Sequence, residues 1–306
     1  MKRVLVSGAS GLTGKSIVNE LKANQFEVTV LGRNLVKLKK ELPGLSGYIE
    51  WNYSEESIAG FSNKVEGFDS VIHLSGAGII DKKWSDDYKK VIIESRTKTT
   101  SALIKALSNC EQKPESFICA SAIGYYGDTG EFEKNESDTN GKGFLPEVCT
   151  AWENEAVKAS EHGMREVRMR IGVVLTAEGG ALKKMLLPFK LFIGGPIGSG
   201  EQWMSWIHIN DLAAAFVFAI EHKEISGAIN GTSPYPVKMK HFASVLGKTI
   251  SRPHIFPVPS FVIKLILGES ASTVLESQKV YPKVLKESGF NFKFPELPAA
   301  LKNLLK

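Results

Sequence analysis

Cysteine is scarce in this sequence and irregularly spaced. The 306 residues include three cysteines, Cys110, Cys119 and Cys149. An odd number without a recurring spacing argues against a disulfide framework and against a zinc site. We therefore expect no metal site, and a reducing compartment, the cytoplasm, is the expected location.

Long apolar runs are also lacking. The N-terminal Met1-Lys2-Arg3 leads into the apolar run 4–6, which is too short for the apolar region of a signal peptide. The longest later run, 261–267, is interrupted by Lys264 and is far shorter than the roughly 20 residues that a membrane span requires. The sequence therefore predicts a soluble protein without a membrane partner.

Charge of either sign is not concentrated anywhere along the chain. The net charge is +5 at pH 7, and the Lys and Arg residues are scattered among acidic and apolar neighbours. Scattered cations are typical of solvated helix faces, so we expect no nucleic-acid partner. A mild positive balance suits a small anionic ligand instead.

Short apolar runs alternate with helical patterns over the first two-thirds of the chain. Hydrophobic residues make up 43% of the sequence, enough for one large domain or two unequal ones. Strands buried on both faces that alternate with helices form right-handed βαβ units. The sequence therefore predicts an α/β fold of the Rossmann type, with a doubly wound parallel sheet. The predicted strands are 4–6, 28–31, 48–51, 70–74, 116–120 and 166–170, and the helices between them include 12–24, 86–107 and 151–162.

Three glycines follow the first predicted strand and open the first predicted helix. Gly8, Gly11 and Gly14 have the spacing GxxGxxG. One glycine permits a tight turn, the second lets the backbone approach a pyrophosphate, and the third lets the helix pack closely on the strand. The helix N-terminus then presents N–H groups to the phosphates, and Ser10 and Thr13 add hydroxyl donors. The pattern predicts a dinucleotide site, with a plain strand–helix turn as the alternative.

The residue after the second predicted strand is a cation. Enzymes that use NAD usually place an acidic residue here, on the ribose 2′-hydroxyl, whereas a cation suits the 2′-phosphate of NADP. Arg33 occupies this place, and its guanidinium can hold a phosphate through two hydrogen bonds. The sequence therefore favours NADP(H) as the cofactor, and a surface arginine without a ligand is the alternative.

The composition changes near Leu175 and again after Asn230, where prolines become frequent. We predict an NADP-binding Rossmann domain at 1–235 with a substrate-side insertion at 176–206, and a smaller mixed or helical substrate-side domain at 236–306. The insertion contains the glycine-rich run 194–200. This run, with Gln202, Trp203 and Trp206 after it, is interpreted either as a loop that closes over a ligand or as a long connection.

Longer segments resemble a known family. The glycine turn, residues 69–76, and Ser121 with Tyr126-Gly127 resemble the extended short-chain dehydrogenase/reductase superfamily. Further segments resemble an atypical branch of it, the YfcH-type proteins of the NAD-dependent epimerase/dehydratase family with a C-terminal domain of unknown function. These segments cover nearly the whole chain: 83–84, 94–97, 121–127, 149–153, 170–175, 179–182, 194–200, 205–211, 252–253, 268–269, 278–283 and 289–290.

The resemblance implies a set of cofactor contacts along the groove. For Leu74 the alternative to cofactor contact is packing in the core, and for Arg96 it is an ion pair with Glu94 or another acidic residue. The implied residues are Gly8, Ser10, Gly11, Leu12, Thr13 and Gly14 on the pyrophosphate, Arg33 on the 2′-phosphate, Trp51 and Asn52 near the adenine, Leu74, Ser75 and Gly76 on the ribose and nicotinamide side, and Arg96 in a long helix facing the cleft.

The superfamily's catalytic pair is missing from the sequence. That pair is a Tyr and a Lys spaced YxxxK on one helix, where the Lys lowers the pKa of the Tyr that acts as general acid or base. None of the seven tyrosines has a Lys four residues later. In one alignment Leu145 and Cys149 take the two places, and in another Cys149 and Glu153 do. Ala122 falls in the place of the usual serine, one residue after Ser121.

Other residues are candidates for the general acid. Tyr125 is the first choice, because it follows the strand whose end points at the nicotinamide, and packing over the cleft is its alternative. Ser121 and Glu153 are predicted as further catalytic residues. Cys149 is favoured as a buried inert thiol and His208 as a loop-orienting residue with Asp211, and Tyr126 is the remaining candidate.

Two functions follow from these features. The first is an NADP(H)-binding oxidoreductase or epimerase-like enzyme that acts on an unidentified small molecule. The second is a catalytically silent NADP(H)-binding sensor or regulatory protein, which the missing pair favours. A homodimer is left open.

Overall fold

Seven parallel strands form the central sheet of the computed structural model, which describes residues 1–53 and 58–306. The strands are β1 Arg3–Ser7, β2 Glu27–Gly32, β3 Gly47–Glu50, β4 Ser70–His73, β5 Ser116–Ala122, β6 Arg165–Ile171 and β10 Gly227–Gly231. Their order is β10-β6-β5-β4-β1-β2-β3. Shorter strands form two-stranded pairs outside this sheet: β7 Val173–Leu175 with β9 Trp206–His208, and β8 Trp203–Met204 with β11 Val237–Lys238.

Helices cover both faces of the sheet and make up most of the C-terminal part. In the described part of the chain, no helix is both long and apolar enough to cross a membrane. The helices are α1 Leu12–Ala23, α2 Leu35–Glu41, α3 Ile58–Lys64, α4 Asp86–Ser108, α5 Phe144–Glu161, α6 Gly180–Lys190, α7 Ile209–Glu221, α8 Met239–Thr249, α9 Ser260–Leu267, α10 Ser272–Leu275, α11 Lys283–Glu287 and α12 Leu297–Leu305.

The predicted doubly wound parallel sheet is confirmed, and each of its six predicted strands is present within two residues of its expected ends. The seventh strand, β10, was not predicted. Its sequence Gly-Ala-Ile-Asn-Gly has a single β-branched residue, and it becomes a strand because it pairs with β6 at the edge of the sheet.

The helix that should carry the catalytic pair is longer than its sequence pattern indicates. Helix α5 begins at Phe144, seven residues before the predicted start at 151. Pro146 lies in its first turn, where the missing N–H has no helical partner to lose. The residues Leu145 and Cys149 are therefore helical and face the sheet.

Three large apolar clusters and a small one at Ile123, Tyr126 and Val280 lie among the described residues. Two lie on opposite faces of the central sheet, one against α1 and α7 and the other against α4 and α5. The third packs α6 against α8 and α12, around the fully buried Trp206. The segment 176–206 thus shares its core with C-terminal helices, and the domain boundary at 235 stays a prediction.

The strand order reverses between β1 and β4, which are direct neighbours. Gly8 follows β1 with a φ of +71°, and a Cβ placed on it would lie 2.8 Å from the carbonyl carbon of Leu74, which follows β4. Below this contact, Ser7 Oγ lies 2.6 Å from His73 Nδ1, and burial lowers the pKa of His73 to about 3, so the imidazole is neutral. Ligands of open α/β sheets bind at such a switch point.

Gly8→Ala should destabilise the protein more than Gly44→Ala does. Both glycines have a φ near +70°, but a Cβ on Gly44 meets nothing within 4 Å. Gly44→Ala should therefore cost only the left-handed backbone strain of about 1–2 kcal/mol. Gly8→Ala adds the collision with Leu74, and urea unfolding followed by circular dichroism measures the difference. Equal losses for the two variants would mean that the backbones at the switch point separate easily.

Candidate cofactor and active site

The glycine-rich turn joins β1 to α1 at the switch point. The Gly11 N–H donates to the Gly8 carbonyl at 3.1 Å, and the Lys15 N–H donates to the Gly11 carbonyl at 2.9 Å, so α1 begins directly after Gly11. Gly11 has no capping side chain, and the first turn of α1 contains no acidic residue. The N–H groups and the positive end of α1 are therefore available to an anionic group such as a pyrophosphate.

The remaining predicted pyrophosphate residues lie in the same turn. Ser10, Leu12 and Thr13 are half-buried beside the exposed Gly11. Gly14 is buried, and a Cβ on it would lie 2.5 Å from the Gly8 carbonyl oxygen. The third glycine therefore serves the close packing of helix on strand, as its spacing predicts.

Arg33 is exposed directly after β2, the strand next to β1. The following residue, Asn34, caps α2 by accepting the Lys37 N–H at 2.9 Å, so the chain turns away immediately after Arg33. Among the described residues, none forms a hydrogen bond or an ion pair with the Arg33 guanidinium. A cation is therefore presented at the end of β2 without an internal partner to neutralise it.

Leu74, Ser75 and Gly76 follow β4 on the other side of the turn. Leu74 is half-buried and packs against both clusters on the sheet, so it belongs partly to the core. Gly76 is exposed and lies over Arg96 of α4, because a Cβ on it would be 3.1 Å from the Arg96 Cζ atom. The backbone of Gly76 and the guanidinium of Arg96 thus form one wall of the groove beside the glycine-rich turn.

Arg96 is buried and is held by apolar and backbone contacts. Its Cζ atom lies 5.1 Å from the centre of the Trp152 ring, and its Nη1 donates to the Ile92 carbonyl at 3.0 Å. Glu94 pairs with Lys98 at 3.0 Å, and no described acidic residue pairs with Arg96. Burial lowers the pKa of Arg96 from its ordinary value. The pairing of Arg96 with Glu94 that the sequence left open is absent.

The two residues expected near the adenine differ in their surroundings. Trp51 is buried, and its ring stacks on Phe61 with centroids 4.7 Å apart. Its side chain therefore belongs to the core. Asn52 is half-buried at the end of β3, at the same edge of the sheet as Arg33.

Ser121 and Glu153, two of the predicted catalytic residues, lie together in a buried polar network. Ser121 Oγ donates to Glu153 Oε1 at 2.7 Å. Arg170 donates to both Glu153 oxygens at 2.8 Å, and Arg168 lies 3.2 Å from Oε2. Burial alone would lower the pKa of Arg170, but the hydrogen bonds and charge of Glu153 raise it above its ordinary value. The carboxylate is fully engaged in positioning Arg170.

The paired tyrosines contact each other edge to face and both contact Arg170. Tyr125 is half-buried, and its ring lies over the guanidinium, with Cζ 3.4 Å from the ring centre. Tyr126 is buried, accepts from Arg170 Nη1 at 2.9 Å and donates to Asn230 Oδ1 at 2.9 Å. Burial raises the pKa of Tyr126 to about 12. Of the two tyrosines, Tyr125 is the more exposed.

Leu145 and Cys149, which one of the two alignments puts at the places of the catalytic pair, pack against the turn after β5. A Cβ on Gly124 would lie 3.3 Å from the Leu145 Cβ and 3.7 Å from the Cys149 Sγ. Cys149 is buried, and burial raises its pKa to about 12. The thiol is therefore protonated at neutral pH and supplies no base.

His208 and Asp211 hold the C-terminal segment. His208 Nε2 lies 3.2 Å from Asn303 Oδ1, and its Nδ1 accepts the Asn210 N–H at 3.1 Å. Burial lowers the pKa of His208 to about 4. Asp211 accepts the N–H groups of Lys293 and Phe294, each at 2.9 Å. Both side chains are engaged in anchoring the chain.

The run 194–200 is tied to the C-terminal part by its backbone. Phe256 N–H donates to the Gly194 carbonyl at 3.1 Å, and Val258 N–H donates to the Pro196 carbonyl at 2.9 Å. Gln202 donates to the Ile197 carbonyl at 2.9 Å, and the Trp203 indole donates to Glu131 at 2.7 Å. The backbone hydrogen bonds join the run to the C-terminal part, and its closing over a ligand stays a prediction.

Several residues of the buried polar network around Arg170 were not predicted as functional from the sequence. Arg170 is the second-to-last residue of β6, and a charged residue buried in a strand requires a partner, so its place in a strand was the available signal. Asn230 and Glu136 gave no such signal, because they are 94 positions apart in the sequence. The Glu136 carboxylate accepts a hydrogen bond from the Asn230 N–H.

Family models match most of the chain. The NAD dependent epimerase/dehydratase family matches residues 4–230, and a domain of unknown function, DUF1731, matches residues 258–304. The chain therefore belongs to the NAD dependent epimerase/dehydratase family, and the predicted resemblance is confirmed. It is an NAD(P)-binding protein of that family.

Relatives match over the whole chain. The epimerase family protein SDR39U1 homolog, chloroplastic, of Arabidopsis thaliana is 40% identical over 311 residues, which cover 99% of this chain and 86% of the relative. An epimerase family protein of Staphylococcus haemolyticus is 37% identical, with 100% and 99% covered. The crystal structure of human epimerase family protein SDR39U1 (isoform 2) with NADPH has a TM-score of 0.86 at 33% identity, covering 99% of this chain and 98% of that one.

Glu153→Gln should destabilise the protein by about 3–5 kcal/mol, because it leaves the buried Arg170 without its counter-charge. Glu155→Gln is the control on the same helix: its partner Lys158 is half-exposed, and the loss should stay below about 1 kcal/mol. Urea unfolding at pH 7.5 measures both. The double variant Glu153→Gln with Arg170→Gln should lose less than the sum of the single losses, and strict additivity would contradict the coupling.

Proposed function

We propose that the protein is an NADP(H)-dependent oxidoreductase or epimerase-like enzyme that acts on a small molecule. The observation that carries the proposal is the turn at Gly8–Gly14 beside Gly76, where the uncapped start of α1 meets the groove at the strand switch point. This arrangement fits a pyrophosphate. The proposed contacts are those expected from the sequence: Gly8, Ser10, Gly11, Leu12, Thr13, Gly14, Arg33, Asn52, Leu74, Ser75, Gly76 and Arg96.

The preference for NADP(H) rests on Arg33. An exposed guanidinium at the end of β2, without an internal partner in the described chain, offers two parallel hydrogen bonds to a 2′-phosphate. The human relative whose structure is named with NADPH supports this choice. Structures with NAD in their names occur among neighbours below 25% identity, which share only the fold.

Tyr125 is the proposed general acid. A bound nicotinamide would supply or accept a hydride, and the chain must then supply the proton. Tyr125 has its ring on the Arg170 guanidinium and is half-buried, whereas Tyr126 is buried. Arg170 is itself fixed by Glu153, and Glu153 by Ser121. In this proposal Ser121 and Glu153 position the Arg170 guanidinium against the Tyr125 ring.

A catalytically silent NADP(H)-binding regulator is the second candidate function. It is supported by one specific observation, the apolar packing of Leu145 and Cys149, which one alignment puts at the places of the catalytic pair. Whichever function applies, the domain division at 235 and the substrate-side role of 176–206 belong to the proposal. We also propose a cytoplasmic location, although the Arabidopsis thaliana relative is named chloroplastic.

Arg33→Ser should weaken NADPH binding about 10- to 100-fold and leave NADH binding within about twofold, because it removes charge-assisted hydrogen bonds to the 2′-phosphate alone. Fluorescence titration of the reduced cofactors measures both affinities. Lys40→Ser is the control, since Lys40 is another exposed cation, on α2. An equal loss for NADPH and NADH would place Arg33 away from the 2′-phosphate.

Tyr125→Phe should lower the turnover rate at least about 100-fold while the affinity for NADPH stays unchanged, as expected when a general acid is removed. The assay follows NADPH absorbance against a panel of small carbonyl compounds. Tyr235→Phe, at a half-exposed position away from Arg170, is the control. A full rate in Tyr125→Phe would show that another group is the acid. Tight NADPH binding with no turnover across the panel would favour the silent regulator.

A further inference from the structure

Large exposed apolar side chains are concentrated on two segments of the chain. Of the fourteen such residues in the described structure, nine lie within 187–193 and 255–266. Single exposed apolar residues are ordinary on protein surfaces, but a concentration of them marks an interaction site or a ligand groove. We call these nine residues the apolar rim: Leu187, Leu191, Phe192, Ile193, Ile255, Phe256, Phe261, Leu265 and Ile266.

The two segments form one surface. They are joined directly behind the rim by the backbone hydrogen bonds from Phe256 and Val258 to Gly194 and Pro196. The Arg252 guanidinium also lies over the Phe192 ring, with Cζ 4.5 Å from its centre. Residues from both segments are thus held in fixed neighbouring positions. Helix α9 contributes three residues of the apolar rim, Phe261, Leu265 and Ile266, and none of its residues is buried.

The apolar rim is attached to both walls of the cofactor groove. At the start of α6, a Cβ on Gly179 would lie 3.4 Å from Leu12 Cδ2, in contact with the phosphate turn. At the end of α9, Lys83 Nζ donates to the Leu265 carbonyl at 3.1 Å, and Lys89 pairs with Glu269. Lys83 belongs to the segment that continues from Gly76. The segments that carry the rim therefore contact both the phosphate turn and the segment that follows Gly76.

Lysine is the charged residue type on the segments that carry the apolar rim. Residues 187–193 and 255–266 contain Lys190 and Lys264 and no Asp or Glu. The flanking stretches 179–186 and 250–254 add three cations, and the acidic residues Glu178, Glu201 and Glu269 lie beyond the stretches 179–200 and 250–268. A mixture of apolar side chains and cations without acids is complementary to a molecule with an apolar part and a negative charge. The cations are Lys183, Lys184, Lys190, Arg252 and Lys264.

We propose that the substrate is an amphipathic anion, whose apolar chain lies on the apolar rim and whose negative group is held by the surrounding cations. The inference rests on the proposed function, because it assigns the substrate of the same groove. A free amphipathic molecule is favoured over a bilayer as the occupant, since the rim is anchored to the phosphate turn and to the segment after Gly76.

The test is calorimetric titration of the NADPH-saturated protein with hexyl, octyl and decyl phosphate below their micelle concentrations. We expect one site, and an affinity that rises about fourfold with each added methylene as more of the chain is buried. Decyltrimethylammonium, which has the same chain and the opposite charge, should bind at least about tenfold more weakly than decyl phosphate.

The double variant Phe261→Ser with Leu265→Ser should lose the chain-length dependence and bind decyl phosphate at least about tenfold more weakly. Its NADPH affinity and its melting temperature should stay unchanged, because both side chains are more than 70% exposed. Phe132→Ser is the matched control, since Phe132 is 79% exposed and lies outside the rim. The variant Lys190→Gln with Lys264→Gln should lose the preference for phosphate over ammonium.

Several results would overturn the inference. The first is an affinity independent of chain length, and the second is unchanged binding in the Phe261 and Leu265 double variant. Capture by vesicles of anionic lipid without binding of monomeric decyl phosphate would make the rim a membrane-docking surface instead. Failure of NADPH itself to bind, measured in the same calorimeter before any alkyl phosphate is added, would overturn the proposed function and the substrate assignment with it.

Discussion

At the switch point of the sheet, the backbone of Gly8 packs so closely against Leu74 that no side chain fits between them. This approach lets β1 and β4 end together, and the buried pair of Ser7 and neutral His73 holds the strand ends beneath it. The start of α1, the segment after β4 and the Arg96 wall all take their positions from this contact. The glycine is therefore a requirement of the sheet as much as of any ligand.

A buried ion pair joins helix α5 to strand β6. Helix α5 presents Leu145 and Cys149 to the turn after β5 and Glu153 to Arg170 of β6. A buried carboxylate and guanidinium are costly to desolvate, and they persist here because every oxygen of Glu153 is bonded. The charge that would act on a tyrosine thus comes from a strand rather than from a lysine on the helix.

The fold followed from sequence patterns because its strands are short apolar runs separated by amphipathic helices, and local periodicity carries that information. The phosphate turn was predictable for the same reason, since its glycines are consecutive in the chain. Strand β10 and the links of Asn230 to Glu136 and Tyr126 were not, because they join residues about a hundred positions apart. The apolar rim was missed because its residues look like core residues until the fold leaves them exposed.

The C-terminal segment also closes over a loop made much earlier in the chain. Thr129 N–H donates to the Ser277 carbonyl, and Lys134 N–H donates to the Lys279 carbonyl, across about 145 residues. During synthesis the loop that follows the paired tyrosines must therefore wait, exposed, until almost the whole chain has left the ribosome. Contacts of such long sequence separation slow folding. Completion of the site is thus one of the last events in the making of the molecule.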